Sequence, residues 1–325
     1  MTELMGKLLW RNRKNYFKMY DTTKPYTKRI LEILRKHGHK TENPASTDGI
    51  GTKGIYHWKA RIYPEINSAR RAVLDGLAMN LNDALVGRFM VEVLNNHIMV
   101  PEEDVDFILN IVENIASECD KRNIRIASGE TSIHNDMRGL EISVNVSGKY
   151  VKQGDNYSKP DDVLIGLQSS GWMSNGFTKF RDIFGTKHSR KYLEELTTPT
   201  FIYYDDVLPL IEKFDIHGMC HVTGGAYTKL RNLLGENDAL IKRNHRLKPQ
   251  EIFYRLYRRG VSDEEMYKTF NCGVGFIMSV SNEDKEEIIQ NLLGKEYDVD
   301  IIGKISKGTG KVRIESMFSD AEVVL

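Results

Sequence analysis

At 325 residues the chain is long enough for two domains, and a composition of 40% hydrophobic and 28% charged residues excludes extended disorder. The formal net charge of +1 gives no support to a large nucleic-acid-binding surface, although residues 1–40 are locally basic. Three cysteines far apart in sequence, Cys119, Cys220 and Cys272, exclude a disulfide framework and the usual zinc spacings. No apolar segment is long enough for a signal peptide or a membrane span, so we expect a cytoplasmic protein.

Helices and strands are both predicted in the first half of the chain. Apolar residues at helical spacing predict three helices, over residues 23–37, 69–86 and 101–119. Residues 140–146 alternate apolar and polar side chains, which is typical of a half-buried strand. Ile124 and Ile126 predict a shorter strand that ends before Glu130. A cluster of Gly, Asp, Asn, Ser and Pro over residues 154–160 predicts a boundary.

The second half has the same mixture of elements. Strands are predicted over residues 163–167 and 273–280 and near Ile301 and Val312, and helices over residues 177–184 and 282–293. Because strands and helices mix in both halves, the pattern favours an α+β or α/β protein over an all-α one.

The first polar cluster lies in a predicted loop over residues 44–53. Gly49 and Gly51 allow a ligand to approach the backbone, Asp48 is a hard oxygen ligand, and Lys53 is a point cation beside Thr52. Together they could hold a phosphate chain and its Mg²⁺. The spacing is not that of a Walker A loop, and an ordinary Asp-Gly turn is the competing interpretation.

A second cluster lies on the predicted helix over residues 69–86. Asn82 follows Asp75 by seven residues, or about two helical turns, so the two side chains share a face, with Asp83 slightly off it. Carboxylate and amide oxygens on one face suit Mg²⁺. The alternative is a surface face that ends in an Asn-Asp helix cap.

The remaining clusters are predicted loops. Glu130 would follow the end of a strand, where open α/β sheets bind ligands, although a lone Glu after Gly is also ordinary loop chemistry. Two loops rich in glycine and hydroxyl groups could bind an anion or cap a helix. Their residues are Ser174, Asn175 and Gly176, and, after His221, Thr223, Gly224 and Gly225.

Taken in order, these motifs resemble those of the aminoimidazole ribonucleotide synthetase (phosphoribosylformylglycinamidine cyclo-ligase) family. The matching segments are residues 47–53, 81–83, 129–131, 169–171, 174–176 and 221–225, and the most specific is 265–275, which resembles the family's C-terminal signature. The likeness runs from about Ser46 to the C-terminus.

The resemblance implies a two-domain α+β protein. Residues 1–45 form a divergent N-terminal segment, residues 46–160 an ATP- and metal-binding domain whose sheet pairs with a second copy into a dimeric barrel, and residues 161–325 a C-terminal α/β sandwich domain. It also implies a ligase of purine biosynthesis that uses ATP and Mg²⁺ to cyclise formylglycinamidine ribonucleotide. The implied partners are this small-molecule ribonucleotide and a second copy in a homodimer, with no nucleic acid and no membrane.

The resemblance also implies roles for individual residues. The catalytic residues are Asp48, Lys53 and His221. The Mg²⁺ ligands are Asp48, Asp75, Asp83 and Glu130. The nucleotide and the ribonucleotide phosphate would be bound by Asp48, Gly49, Gly51, Thr52, Lys53, Asp75, Asn82, Asp83, Glu130, Ser174, Asn175, Gly176, Thr223, Gly224 and Gly225.

The sequence departs from the family pattern at several places. Residues 1–45 lack the family's glycine-rich stretch, Ile133 replaces a carboxylate, Asn95 replaces an aspartate and Ala226 replaces a glycine. Two alternatives therefore stay open: another ATP-dependent enzyme that phosphorylates an amide or amidine, and a non-catalytic nucleotide-binding homologue. Retention of both Asp48 and Lys53 argues against the second.

Overall fold

The computed structural model describes residues 27–38, 44–185 and 190–325. It is a mixed α/β structure with one four-stranded and one seven-stranded sheet in the described residues. The helix predicted over residues 23–37 is present as Thr27–Lys36, and residues 23–26 lie outside the described residues. Most of the predicted divergent segment, residues 1–45, lies outside them as well.

The four-stranded sheet has the order β1-β4-β2-β3. β4 pairs antiparallel with β1 and with β2, whereas β3 runs parallel to β2 and is exposed along most of its length. In β4 the buried residues Ile142, Val144 and Val146 alternate with half-buried Ser143 and Asn145, so the sheet has an apolar inner face and a polar outer face. The strands are β1 (Ala45–Gly49), β2 (Phe89–Val100), β3 (Arg125–Ile133) and β4 (Glu141–Tyr150).

The seven-stranded sheet has the order β11-β10-β7-β9-β5-β8-β6. Its pairs are antiparallel except for the parallel pair of β10 and β7. Every residue of β8 is buried, which explains why its sequence reads as an unbroken apolar run. The strands are β5 (Val163–Gln168), β6 (Gly218–His221), β7 (Asn237–Ile241), β8 (Val274–Val280), β9 (Val299–Lys307), β10 (Val312–Glu315) and β11 (Glu322–Val324).

The long helix Ser68–Gly87 lies between the two sheets. One side contacts β1, β2 and β4, and another contacts β6 and the helix Tyr204–Lys213. It ends where Arg88 takes a left-handed conformation and its N–H caps the last carbonyls of the helix. Two apolar clusters of the described residues each join side chains of both halves of the chain, and the long helix contributes to the larger one.

The other described α-helices are shorter, and none of the helices in the described residues is both long and apolar enough to cross a membrane. They are Gly54–Ala60, Val105–Asp120, Phe177–Phe184, Arg190–Leu196, Arg231–Leu234, Glu251–Tyr257, Asp263–Thr269 and Lys285–Leu292.

Two local predictions were wrong. The predicted loop over residues 44–53 contains β1, because the five residues Ala45–Gly49 pair with β4 despite their turn-like composition. Glu130 does not follow a strand but lies within β3, opposite His97 of β2. In both places pairing with a neighbouring strand outweighs the local preference of glycine and aspartate for turns.

Candidate functional site

The predicted shared face of the long helix holds the C-terminal half in place. The amide nitrogen of Asn82 donates to the carbonyl of Phe201 at 2.9 Å, and its oxygen accepts from the Tyr203 N–H at 2.8 Å. Two turns earlier, the Asp75 carboxylate accepts from the N–H of Thr200 at 2.8 Å. Asp75 and Asn82 therefore bind one segment, residues 200–203, as their common face predicts.

Asp75 is the centre of a fully buried ionic cluster. Its Oδ1 accepts from Lys53 Nζ at 2.8 Å and from Thr200 Oγ1 at 2.7 Å, and its Oδ2 lies 2.8 Å from His57 Nε2. Lys53 Nζ also donates to the carbonyl of Thr198 at 2.6 Å. Because both carboxylate oxygens have buried partners, Asp75 acts as a clamp between the halves of the chain.

Electrostatics agree with this description of the clamp. Burial lowers the pKa of Lys53 and of His57, because the charged form of each loses its hydration. Burial alone would raise the pKa of Asp75, but the adjacent Lys53 and His57 outweigh it and hold that pKa below its ordinary value. The cluster therefore favours an ionised Asp75 beside Lys53.

This arrangement bears on two residues predicted to bind ligands. Lys53 ends the short 3₁₀ turn Gly51–Lys53, which turns its side chain inward, and neither Lys53 nor Asp75 has exposed side-chain surface. Phosphate binding by Lys53 and Mg²⁺ binding by Asp75 stay predictions, and the partners found here favour a structural role for both.

About two turns beyond Asp75, the same helix brings Asp83 to His221 of β6. Asp83 Oδ1 lies 2.9 Å from His221 Nδ1, and the amide nitrogen of Asn82 lies 3.4 Å from His221 Nε2. An amide nitrogen can only donate, so Nε2 accepts and the ring proton is on Nδ1, facing Asp83. The Asp83 side chain keeps 37% of its surface exposed, whereas that of His221 is buried.

Asp48 joins this pair from β1. It lies opposite Val144 in the sheet and therefore on the face that contacts the long helix, where the residue stays exposed. Partial desolvation and the like charge of Asp83 raise the pKa of Asp48, whereas the N–H of Gly49, Lys229 and His221 oppose the rise. Desolvation also opposes ionisation of Asp83, but His221 and then Lys229 hold the pKa of Asp83 below its ordinary value.

A third carboxylate, Glu141, lies next to Gly49, on the other face of the sheet from Asp48. Its Oε1 accepts from the N–H of Gly51 at 3.3 Å, and burial, together with the charge of Asp48, raises the pKa of Glu141. A Cβ atom on Gly49 would lie 2.1 Å from the same oxygen, so a side chain at position 49 would displace the end of the Glu141 side chain. In this structure the group that approaches Gly49 is therefore a carboxylate of the chain itself.

The two predicted anion-binding loops come together. Ser174 Oγ lies 3.2 Å from Thr200 Oγ1, which ties the first loop to the clamp. Asn175 Oδ1 lies 3.1 Å from where a Cβ atom on Gly224 would be, so residues 174–176 and 223–225 are adjacent. Gly176 and Gly225 both have left-handed backbone conformations, with φ of 86° and 80°.

Glu130 is not part of this cluster. It is exposed on β3, and β4 and β2 lie between that strand and β1, a separation of about 14 Å at ordinary strand spacing. Its carboxylate accepts from the N–H of Thr131 at 3.0 Å. The structure therefore brings Asp48, Asp83 and His221 together and leaves Glu130 apart within this chain.

Comparison with known proteins identifies the family. Residues 159–315 match the family model described as AIR synthase related protein, C-terminal domain. Over 285 residues the chain is 32% identical to phosphoribosylformylglycinamidine cyclo-ligase of Thermococcus gammatolerans, a match that covers 83% of this chain and 81% of the relative. The chain belongs to the phosphoribosylformylglycinamidine cyclo-ligase family. The resemblance inferred from the motifs is thereby confirmed.

More distant structures share the fold of this cyclo-ligase family member. The hydrogenase maturation protein HypE in complex with ATP superimposes with a TM-score of 0.59 at 15% identity, covering 94% of this chain and 96% of that one. Thiamine monophosphate kinase from Aquifex aeolicus gives a TM-score of 0.58 at 14% identity, covering 88% and 95%. At such identities the likeness establishes the fold alone, and it confirms the mixed α/β architecture.

Several residues of the site carried no functional signal in the sequence. Lys229 lies on the 3₁₀ turn Ala226–Leu230, and Thr200 precedes a helix without any motif. In the sequence, Glu141 is only a polar position in the alternating segment 140–146. The signature segment 265–275 has a supporting role: the amide nitrogen of Asn271 donates to the carbonyl of Gly171 at 2.8 Å, behind the Ser174 loop.

Proposed function

We propose that this chain catalyses the ATP-dependent cyclisation of formylglycinamidine ribonucleotide to aminoimidazole ribonucleotide, with release of ADP and phosphate, in purine biosynthesis. Family membership supports the reaction. The observation that carries the site assignment is the contact between Asp83 and His221, two motif residues 138 positions apart. Together with Asp48 they form a polar cluster between the halves of the chain.

The chemistry has two steps. The amide oxygen of the substrate attacks the γ-phosphorus of ATP and ADP leaves; the amidine nitrogen then attacks the activated carbon, and phosphate is expelled with the former amide oxygen. Ring closure also releases a proton from the attacking nitrogen. His221 has the tautomer of a proton acceptor, because Asp83 holds the Nδ1 proton, and the lone pair on Nε2 faces only the long 3.4 Å contact from the Asn82 amide, which would have to open first. We propose that His221 accepts this proton.

The donor set beside His221 fits Mg²⁺. The charge of Asp83 raises the pKa of Asp48, so the two carboxylates are within electrostatic range of each other, and both offer oxygen ligands. Among the described residues no group of three or more His, Cys, Asp or Glu side chains could hold a metal ion. Mg²⁺ commonly binds through one or two carboxylates together with substrate phosphates, so we propose Asp48 and Asp83 as its ligands. When bound, the ion would neutralise charge on the phosphates of ATP.

The other predicted nucleotide-binding residues keep that assignment as part of the proposal. Gly49, Gly51, Thr52 and Asn82 surround Asp48 and Asp83 along the chain, and the Ser174–Gly176 and Thr223–Gly225 loops adjoin them. We propose that the two loops bind the phosphate of the ribonucleotide. Lys53 and Asp75 are proposed to act through the clamp, which holds Thr200 and, through it, Ser174.

We further propose two domains, over residues 46–160 and 161–325, and a homodimer in the cytoplasm. The family match that begins at residue 159 supports the boundary. The exposed strand β3, with Ile126 and Ile133 at 39% and 48% exposure, supports pairing of the four-stranded sheet with a second copy. Glu130, remote from the cluster in its own chain, keeps its predicted role in nucleotide binding.

The test is a cyclisation assay with purified protein, formylglycinamidine ribonucleotide, ATP and Mg²⁺. We expect ADP and aminoimidazole ribonucleotide in equal amounts by mass spectrometry. Asp83→Asn should abolish most turnover, whereas Asp320→Asn, which changes a fully exposed carboxylate, should not. If the protein binds ATP but does not form this product, and instead turns over another amide or amidine, the result would favour a different enzyme of the superfamily. Binding without any turnover would favour a non-catalytic homologue.

A further inference from the structure

Lys53, the lysine predicted to bind a phosphate group, is not accessible to a ligand in this arrangement. Lys53 has no exposed side-chain surface, and its ammonium group is held by Asp75 and the carbonyl of Thr198. To reach a ligand it would have to leave a buried carboxylate without its counter-ion, which is costly. The phosphate chemistry proposed above therefore calls for another positive charge on the open side of the site.

Lys229 lies at that position. It follows the loop Thr223–Gly225 directly, on the turn Ala226–Leu230, and it is half-buried. Its Nζ donates to Thr223 Oγ1, and this is its one hydrogen bond in the described part of the chain. An ammonium group has three N–H bonds, so two stay free for a ligand, and the Thr223 hydroxyl can still donate its own proton.

The charges around Lys229 place it beside the reactive cluster. Its positive charge lowers the pKa of Asp48 and of Asp83, so it lies within electrostatic range of both carboxylates. Lys229 is thus hydrogen-bonded to the loop proposed for the ribonucleotide phosphate, and its charge acts on the carboxylates proposed for Mg²⁺.

A second donor without a partner borders the same loop. The side-chain nitrogen of Asn175 is buried and makes no hydrogen bond in the described structure, although its oxygen lies against Gly224. Buried donors are rarely left unpaired unless something else satisfies them. Lys229 and Asn175 therefore both have unused N–H groups, and both border Thr223–Gly225.

We propose that Lys229 is the lysine that contacts a phosphate group of the bound ligands, and that Lys53 has a structural role. This inference rests on the proposed function. Two ligand groups offer the required chemistry: the triphosphate of ATP and the 5′-phosphate of the ribonucleotide. A lysine makes a charge-assisted hydrogen bond to either of them.

The experiment is calorimetric titration of the full chain with each ligand separately. One arm uses ATP with Mg²⁺, and the other uses formylglycinamidine ribonucleotide alone. Lys229→Met keeps most of the side chain's length and removes its charge, and Lys229→Arg keeps the charge. Lys213→Met is the matched control, since that lysine pairs with Glu287 on the surface. Thermal unfolding of each variant establishes that it is folded.

We expect Lys229→Met to weaken binding in one arm by about 10- to 100-fold, the effect of losing a hydrogen bond to a charged group. Lys229→Arg should recover much of that loss, and Lys213→Met should bind as the wild type does. The arm that weakens identifies the phosphate. If Lys229→Met is folded and binds both ligands within about twofold of the wild type, Lys229 is only a counter-ion for Asp48 and Asp83, and the inference is wrong. Wild-type protein that binds neither ligand would overturn both the inference and the proposed function.

Discussion

Two aspartates on one helix, eight residues apart, have opposite surroundings. Asp75 has no exposed surface, and both of its oxygens are bound by side chains or backbone of the same chain. Asp83 keeps 37% of its side-chain surface exposed, and beside it lie a histidine, a second carboxylate and the half-buried Lys229. Identical chemistry in the sequence therefore supports two different roles: Asp75 holds the halves of the chain together, and Asp83 is open to a ligand.

The largest expected effect is on the clamp. Asp75→Asn leaves the buried ammonium group of Lys53 without a counter-ion, which should reduce the free energy of unfolding by about 3–5 kcal/mol. Chemical denaturation measures this loss. The double variant Lys53→Met/Asp75→Asn removes both charges and keeps an amide oxygen for Thr200, so it should recover much of the loss. Equal destabilisation by the single and double variants would mean that the ion pair does not account for the loss.

Asp83→Asn should have the opposite pattern of effects, with a large loss of turnover and a small loss of stability. It removes the carboxylate that orients His221, so we expect turnover to fall by about 100-fold or more, with a change in the free energy of unfolding below about 2 kcal/mol. Steady-state kinetics and denaturation on the same sample give both numbers. A variant that loses stability as Asp75→Asn does, yet keeps its turnover, would remove the distinction between the two aspartates.

Acid sensitivity should follow from His57 in the clamp. Burial lowers the pKa of His57 below its ordinary 6.5, so the unfolded chain takes up this proton more readily. The stability due to neutral His57 is therefore present above pH 6.5 and is lost as the pH falls toward the lower pKa of the folded state. The free energy of unfolding, measured from pH 7.5 to pH 4.5, should decline more steeply for wild type than for His57→Gln. Parallel curves for the two proteins would contradict this effect of His57.

The smallest effect is expected at Asp48. Its pKa is raised, so its contribution to stability is present below the ordinary pKa of 3.8 and is lost as the pH rises through the higher value of the folded state. At neutral pH the carboxylate opposes folding, and Asp48→Asn should stabilise the chain by less than about 1 kcal/mol while impairing turnover. The extra stability of Asp48→Asn relative to wild type should disappear near pH 3.5. A loss of stability at neutral pH would show that the ionised carboxylate contributes favourably.

Much of the fold could be predicted, because it follows from repeated local patterns. The helix Phe177–Phe184 has the predicted bounds, and the long helix differs by one residue at each end. The helix predicted over residues 101–119 begins only at Val105, because Asp104 caps it by accepting from the N–H of Phe107. The formation of β1 and the position of Glu130 within β3 depend on pairing with strands that are distant in the sequence. A local sequence pattern does not identify such partners.

The site was predictable to a lesser degree. The order of the motifs identified the family, and the family resemblance assigned Asp48, Asp83 and His221 to one site. Burial could not be read from the motifs, because the inward turn of Lys53 depends on Thr198 and Asp75, 145 and 22 positions away. Lys229 lies in no recognised motif, and its importance follows only from the folded chain.

The central claim is that the open cluster, and not the clamp, handles the nucleotide chemistry. The most direct measurement is the rate of ADP release with and without formylglycinamidine ribonucleotide, for wild type and for folded Asp83→Asn. We predict release that depends on the ribonucleotide in the wild type and falls at least about 100-fold in the variant. Ribonucleotide-dependent release at an unchanged rate in Asp83→Asn would contradict the account.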